Sequence, residues 1–168
     1  MDLDSLLNAM KTTFSIDDTS SLDLPLLESL SQCTINVAPG GVLTANNLSS
    51  VSGMNFSIGS VGGAVTFDGL ASMSDSDITL SGSGSWSLPA LVSLSNTQIV
   101  VPDGTRFEAS SLESFTASSP SEFSLQVFGT GSFVAPLLAD IANLRIRVDA
   151  GAQVVLPSVA SYTWGLCA

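Results

Sequence analysis

Residues able to do acid–base chemistry sit close together at two places: Asp75 with Asp77, and Asp103 with Glu108. Two carboxylates flanking a glycosidic bond can act as acid and base, or as acid and nucleophile. Either pair is therefore a candidate for carbohydrate chemistry. Serines recur at Ser29, Ser50, Ser72, Ser93, Ser114 and Ser161. A serine nucleophile needs an adjacent base, and the chain of 168 residues has no histidine. The expected role of this series is a ladder of hydroxyls bonded along a stack. Asp2 and Asp23, with Asp17 and Asp18, could collect the several oxygen ligands of weak Ca2+ binding at the N-terminal end. Cys33 and Cys167 are the two cysteines. With no CxxC, no Cys–His spacing and no histidine, a zinc site and a disulfide framework are excluded on ligand count. Arg145 and Arg147 flank Ile146 and could grip an acidic sugar. Asn47-Leu48-Ser49 and Asn55-Phe56-Ser57 match glycosylation acceptor triplets. Most of the acids do not recur at a fixed interval and read as a solubilising surface. No residue is assigned a catalytic, cofactor-binding or metal-binding role.

Composition narrows the partners. Apolar residues make up 45% and charged residues 11%, against about a quarter charged in ordinary domains. The net charge is −11, which repels phosphate backbones and anionic membranes. Nucleic acid is excluded as a partner on that ground. No run of about 18 apolar residues occurs, so membrane insertion by a helix is not expected. The opening "MDLDSLLNAMK" is acidic where a secretion signal is basic.

The elements that must position these residues emerge from a repeat. "LDLPLLESLSQCTINVAPGG" (Leu22–Gly41) returns as "WSLPALVSLSNTQIVVPDGT" (Trp86–Thr105). Units start at Ser21, Val42, Ala64, Ser85, Arg106, Ser132 and Gln153, after a partial unit at Met1–Ser20. Subtracting successive starts yields lengths of 21, 22, 21, 21, 26 and 21 residues. The longer unit carries about five extra residues around "TASSPSE" (Thr116–Glu122), expected to bulge as a loop without shifting the register. Position 7 of the unit is Leu6, Leu27, Leu48, Leu70, Leu91, Leu112, Leu138 and Val159. Positions 2 and 4, 10, and 15 and 17 are apolar as well. Position 2 includes the aromatics Trp86, Phe107 and Phe133, expected in the core rather than in an outward sugar platform.

Alternation at positions 2 and 4, and at 15 and 17, is the pattern of short strands with one buried face. Glycines near positions 20 and 21, such as Gly40, Gly41, Gly104 and Gly151, suit tight corners. Pro25, Pro89, Pro136 and Pro157 share position 5, at a bend. One unit buries about six side chains worth roughly 2 kcal/mol each, less than the roughly 1–2 kcal/mol per residue needed to order its backbone. Stacking must supply the rest. The expected fold is all-β: one domain over 1–168, a single parallel β-solenoid of about eight coils with a 21-residue repeat. Flat Thr-x-Thr ladders are absent from positions 14 and 16. Cys33 and Cys167, six coils apart, lie too far from each other to bridge within one chain.

The segments "LPLLESL" (Leu24–Leu30), "LPALVSL" (Leu88–Leu94) and "LPSVASY" (Leu156–Tyr162) resemble the L-P-x-L-x-S-Φ phrase of receptor L domains. Those domains are leucine-rich-repeat-like β-helices of growth-factor-receptor ectodomains and fungal cell-wall proteins. The resemblance implies a non-catalytic solenoid at the cell surface or outside the cell, and it carries over no site residue. The expected function is structural or adhesive; the alternative is a carbohydrate-binding or carbohydrate-active β-helix using surface carboxylates. No cofactor is expected beyond weak Ca2+. Expected partners are neighbouring solenoid chains or flanking domains, and surface glycans. End-to-end stacking is expected because Asp2, Asp4, Asp17, Asp18 and Asp23 make one end acidic, whereas "SYTWGLCA" at the other is uncharged.

Overall fold

The structure, a computed structural model, describes residues 3–59, 65–119 and 124–160. Among them the regular elements are all short strands, three to a turn. They stack into a parallel β-solenoid with three walls.

The first wall is a seven-stranded sheet of Asn8–Met10, Ser29–Ser31, Ser50–Ser52, Ser72–Ser74, Ser93–Ser95, Ser114–Thr116 and Asp140–Ala142. The second, also seven-stranded, holds Thr13–Ile16, Thr34–Val37, Asn55–Ile58, Asp77–Leu80, Gln98–Val101, Leu125–Val127 and Ile146–Val148. The third is divided into Ser21–Asp23, Val42–Thr44 and Val65–Thr66, then Gly84–Ser87, Thr105–Glu108, Ser132–Val134 and Gln153–Val155. Where eight coils were expected, about seven turns are found. Gln153–Val155 opens a further turn, whose remaining wall positions fall at 161–168, outside the described residues. Pairing is parallel and in register, as in Leu30↔Val51, Val51↔Met73, Met73↔Leu94, Leu94↔Phe115 and Phe115↔Ile141.

Three corners close each turn, and each has its own chemistry. At the first, positions 4–7 form a β-turn with Pro, where present, in its second place, a site preset for φ near −65°. The closing bond repeats: Leu27 N–H donates to Leu24 O, Leu91 to Leu88 O and Leu138 to Ala135 O, at 3.2, 3.2 and 3.3 Å. This explains the three-residue step between inward positions 4 and 7. At another corner, Thr105 N–H donates to Pro102 O at 3.3 Å, with Gly104 at φ 71°. Gly131 ends the equivalent turn one coil on for a different reason: a Cβ there would lie 2.5 Å from Pro102 O.

The corner between the first and second walls carries no glycine or proline signature and was not anticipated. Position 12 adopts positive φ at Lys11, Gln32, Gly53, Asp75, Asn96 and Asn143. Asp and Asn tolerate this left-handed region better than most residues, which accounts for three of the six. The next position then points inward, burying Cys33, Met54, Ser76, Thr97 and Leu144.

The core is one continuous cluster. Position 7 is a single buried column: Leu27, Leu48, Leu70, Leu91 and Leu112 are 0% exposed and Leu138 is 1% exposed. Leu6 is partly buried against its first turn. Trp86, Phe107 and Phe133 lie in the core as expected. Ring centroids are 5.5 Å apart from Trp86 to Phe107 and again from Phe107 to Phe133, edge-on and stacked respectively. Phe67 extends the series, 6.4 Å from Trp86. Where the third wall is interrupted, the buried Trp86 Nε1–H donates to Val65 O at 3.0 Å. A side chain thus satisfies a carbonyl at the seam of the sheet.

The insertion leaves the register intact, as expected. Ile99 pairs with Leu125, Val100 with Gln126 and Val101 with Val127. Leu125 and Val127 are buried, and Gln126 stays off the core. Side-chain amides brace its base: Asn96 Oδ1 accepts from Ser118 N–H at 2.7 Å, and Asn143 Nδ2–H donates to Ala117 O at 3.0 Å.

Leu91→Ala empties one place in an unbroken column and is expected to cost about 2–5 kcal/mol. Urea unfolding measures it; a cost of a few tenths of a kcal/mol would contradict this packing. Cys33 is a free, buried thiol, and Cys167 lies outside the described residues. The non-reduced monomer is expected to have the mass of two free thiols, and a deficit of two hydrogens would contradict that.

Candidate functional site

The candidate carboxylates meet different surroundings in the solenoid. Asp75 occupies the left-handed corner at φ 49°. Its carboxylate accepts from Asn96 Nδ2–H on the next coil at 3.1 Å. Asp77 lies two residues on, on the outer face of the second wall. The positive φ and the bond from Asn96 account for Asp75 without any catalytic role.

Asp103 and Glu108 turn to different partners. Asp103 Oδ1 accepts from Thr130 N–H at 2.7 Å and from Thr130 Oγ1–H at 2.8 Å. These bonds, backbone first, hold the Asp103 carboxyl below its ordinary range. Thr130 Oγ1 in turn accepts from Gly104 N–H at 3.2 Å. The group is a clamp joining the turns of two coils. Glu108 pairs with Arg106 of its own strand at 3.0 Å. The pair is half-exposed, a setting in which ion pairs add little.

Arg147 is also held locally. Its Nε lies 3.0 Å from Asp149 Oδ1, and its guanidinium sits 5.1 Å from the centroid of the Phe128 ring. Arg145 lies just before that strand and is partly buried. Among the described residues, no group of three His, Cys, Asp or Glu could hold a metal ion. Asp17, Asp18 and Asp23 are exposed at a turn and the adjoining strand, and Asp2 lies outside the described residues. Of the glycosylation triplets, Asn47 uses its amide to donate to Pro25 O, and Asn55 is exposed.

The expected serine ladder is a correction. Side-chain bonds form at the ends of the column, where Ser29 donates to Asn8 Oδ1 and Ser114 donates to Asp140 Oδ2 at 3.2 Å. Between them the hydroxyls of Ser50, Ser72 and Ser93 make no side-chain hydrogen bond among the described residues. In-register strands lie about 4.8 Å apart, beyond the 2.5–3.0 Å or so of a hydroxyl hydrogen bond. Asn and Asp are long enough to span that gap; serine is not. Ser161 lies outside the described residues.

This wall has a second hydroxyl column that the sequence reading did not separate out. Position 11 holds Ser31, Ser52, Ser74, Ser95 and Thr116. A Ser-x-Ser alternation around one buried residue was the available signal. Together the columns form a grid over an open depression of about 380 Å3, lined by Ser29, Ser31, Ser50, Ser52, Ser72 and Ser74. A second depression, of about 410 Å3, lies by the second wall, where Ser15, Asn36 and Ser57 line up in register beside Asp17.

At the hidden position 13 the polar side chains are hydrogen-bonded instead. Ser76 Oγ–H donates to Ser74 O at 2.6 Å and accepts from Met54 N–H at 3.1 Å. Cys33 occupies the same place, its thiol 3.2 Å from Ser31 O and 3.4 Å from Thr12 N. Thr97 Oγ1–H donates to Ser95 O at 3.0 Å.

Comparison with protein-family models finds no matching family. Comparisons with curated proteins and with solved structures find no match either. The reading of function therefore rests on the geometry of this chain.

Because folding lowers the Asp103 pKa, its stabilising effect is present above the unfolded value of 3.8 and is lost as pH falls through the folded value. Asp103→Ala is expected to lower the urea midpoint at neutral pH and to narrow its difference from wild type as the medium is acidified below 3.8. An equal loss at both pH values would mean that the clamp is not charge-dependent.

Proposed function

We propose that the chain is a non-catalytic structural or adhesive repeat segment of a surface or extracellular protein. One observation carries this reading: most of the candidate chemical groups have partners within the scaffold. Asp75 accepts from Asn96, Asp103 clamps Thr130, Glu108 pairs with Arg106, and Arg147 pairs with Asp149. What remains for partners is broad, largely uncharged polar wall. The L-P-x-L-x-S-Φ phrase supports the same placement, since it resembles that of surface L domains.

A non-catalytic solenoid releases no new reducing ends from polysaccharides. The chain incubated with a panel of soluble and insoluble glycans is expected to give the blank rate. Antibodies to it are expected to stain intact, unpermeabilised cells of its source. Hydrolysis that disappears in Asp77→Asn or Glu108→Gln would overturn the non-catalytic reading. Staining confined to permeabilised cells would overturn the surface placement.

A further inference from the structure

A series of backbone bonds ties the third wall together, and among the described residues it has one gap. Position 4 of a coil donates to position 3 of the next: Leu24 N–H to Thr44 O, Ala45 to Thr66 O, Leu88 to Glu108 O, Ala109 to Val134 O and Ala135 to Val155 O, at 2.8–3.1 Å. Phe67 N–H, whose partner by the same rule is Ser87 O, makes no such bond. The wall divides there: Val65–Thr66 pairs with the strand before it, and Gly84–Ser87 with the strand after it. The first and second walls run through the same two coils unbroken, with Met73 opposite Leu94 and Ile78 opposite Ile99.

The corner that leads into this gap is open as well. Elsewhere position 21 closes the turn by donating to position 18, as Ser20 N–H does to Asp17 O, Gly41 to Ala38 O, Thr105 to Pro102 O and Ala152 to Asp149 O, at 2.9–3.3 Å. Gly84 N–H turns instead to Gly104 O of the next coil at 3.2 Å. Gly82 and Gly84 have φ of 87° and 129°, which glycine adopts at no steric cost. The chain changes sides here. Ser81 N–H donates back to Ile58 O at 2.8 Å, whereas Gly82 O accepts from Thr105 Oγ1–H of the next coil at 3.0 Å. Across the gap in the third wall runs the bond from the buried Trp86 Nε1–H to Val65 O, at 3.0 Å.

We propose that this seam is a hinge. The third wall opens between Phe67 and Ser87 while the first and second walls stay bonded. Gly82 and Gly84 absorb the backbone change, and the Trp86 indole is the latch. Opening costs least where the fewest bonds cross, and hinges concentrate torsional change in a few residues at element ends. The rod on either side moves as a block, and it bends toward the edge shared by the first and second walls. This motion goes beyond the adhesive reading and does not depend on it.

The test is hydrogen exchange of the full chain followed by NMR. Trp86 Nε1–H is expected to exchange at least about tenfold faster, after correction for intrinsic rates, than Val92 N–H and Gln98 N–H, which donate to Ala71 O and Ser76 O across the same two coils. Low denaturant is expected to change its rate little, as for a local opening. Trp86→Phe keeps a ring in the core and removes the latch. It is expected to speed exchange at Phe67 N–H and to leave Val92 and Gln98 as they were. Protection of Trp86 Nε1–H equal to that of Val92 and Gln98, with the same denaturant dependence, would overturn the hinge. So would a uniform rise over all three walls in Trp86→Phe. Should that variant fail to fold, the wild-type comparison alone decides.

Discussion

Every coil depends on the next for its backbone hydrogen bonds. A strand of three or four residues has no partner within its own turn, so its N–H and C=O groups must be satisfied along the axis. This demand forces in-register stacking, and in-register stacking forces the 21-residue period. It also makes each column uniform: an inward place on one coil is an inward place on all. The leucines of position 7 and the aromatics near Trp86 follow from it. So does the arrangement of the serines, which parallel pairing lines up and then holds too far apart to bond.

The same constraint decides where irregularity is tolerated. Extra residues enter after Ala117, at a corner, and Leu125 then rejoins Ile99 in register. An insertion within a strand would turn its inward side chains outward. At the other irregular place, the third wall is divided, and Trp86 supplies the donor that Val65 O needs. In both cases a side chain supplies a bond near the irregularity: the indole at the seam, and Asn96 and Asn143 at the loop base.

Few charges are available on the surface, and those described above lie at corners and strand margins more than on the walls. Corners favour Asp, Asn and Gly for their backbone conformations, so acids such as Asp75 serve the scaffold there. Asp75 and Asp103 illustrate this: each looks like half of a catalytic pair in the sequence, and each has a structural partner one coil away. The middle of the first wall, from Ser29–Ser31 to Ser114–Thr116, carries hydroxyls at its outward positions.

The repeat, the walls defined by positions 2–4 and 15–17, the buried leucine column and the unshifted register after the insertion were legible in the sequence; residues 120–122 of that insertion lie outside the described residues. The legible features depend on hydrophobic period and on local turn chemistry, both written in consecutive residues. The left-handed corner at position 12 was not, because Lys11, Gln32, Asp75 and Asn96 share a conformation rather than a residue type. Nor were the partners of the acids. The intervals 75–96 and 103–130 acquire meaning only when stacking brings successive coils into contact. The sequence by itself determined that the chain must wind and what it would bury. The tertiary structure decided which polar groups satisfy one another and which are left facing outward, since those bonds run between coils.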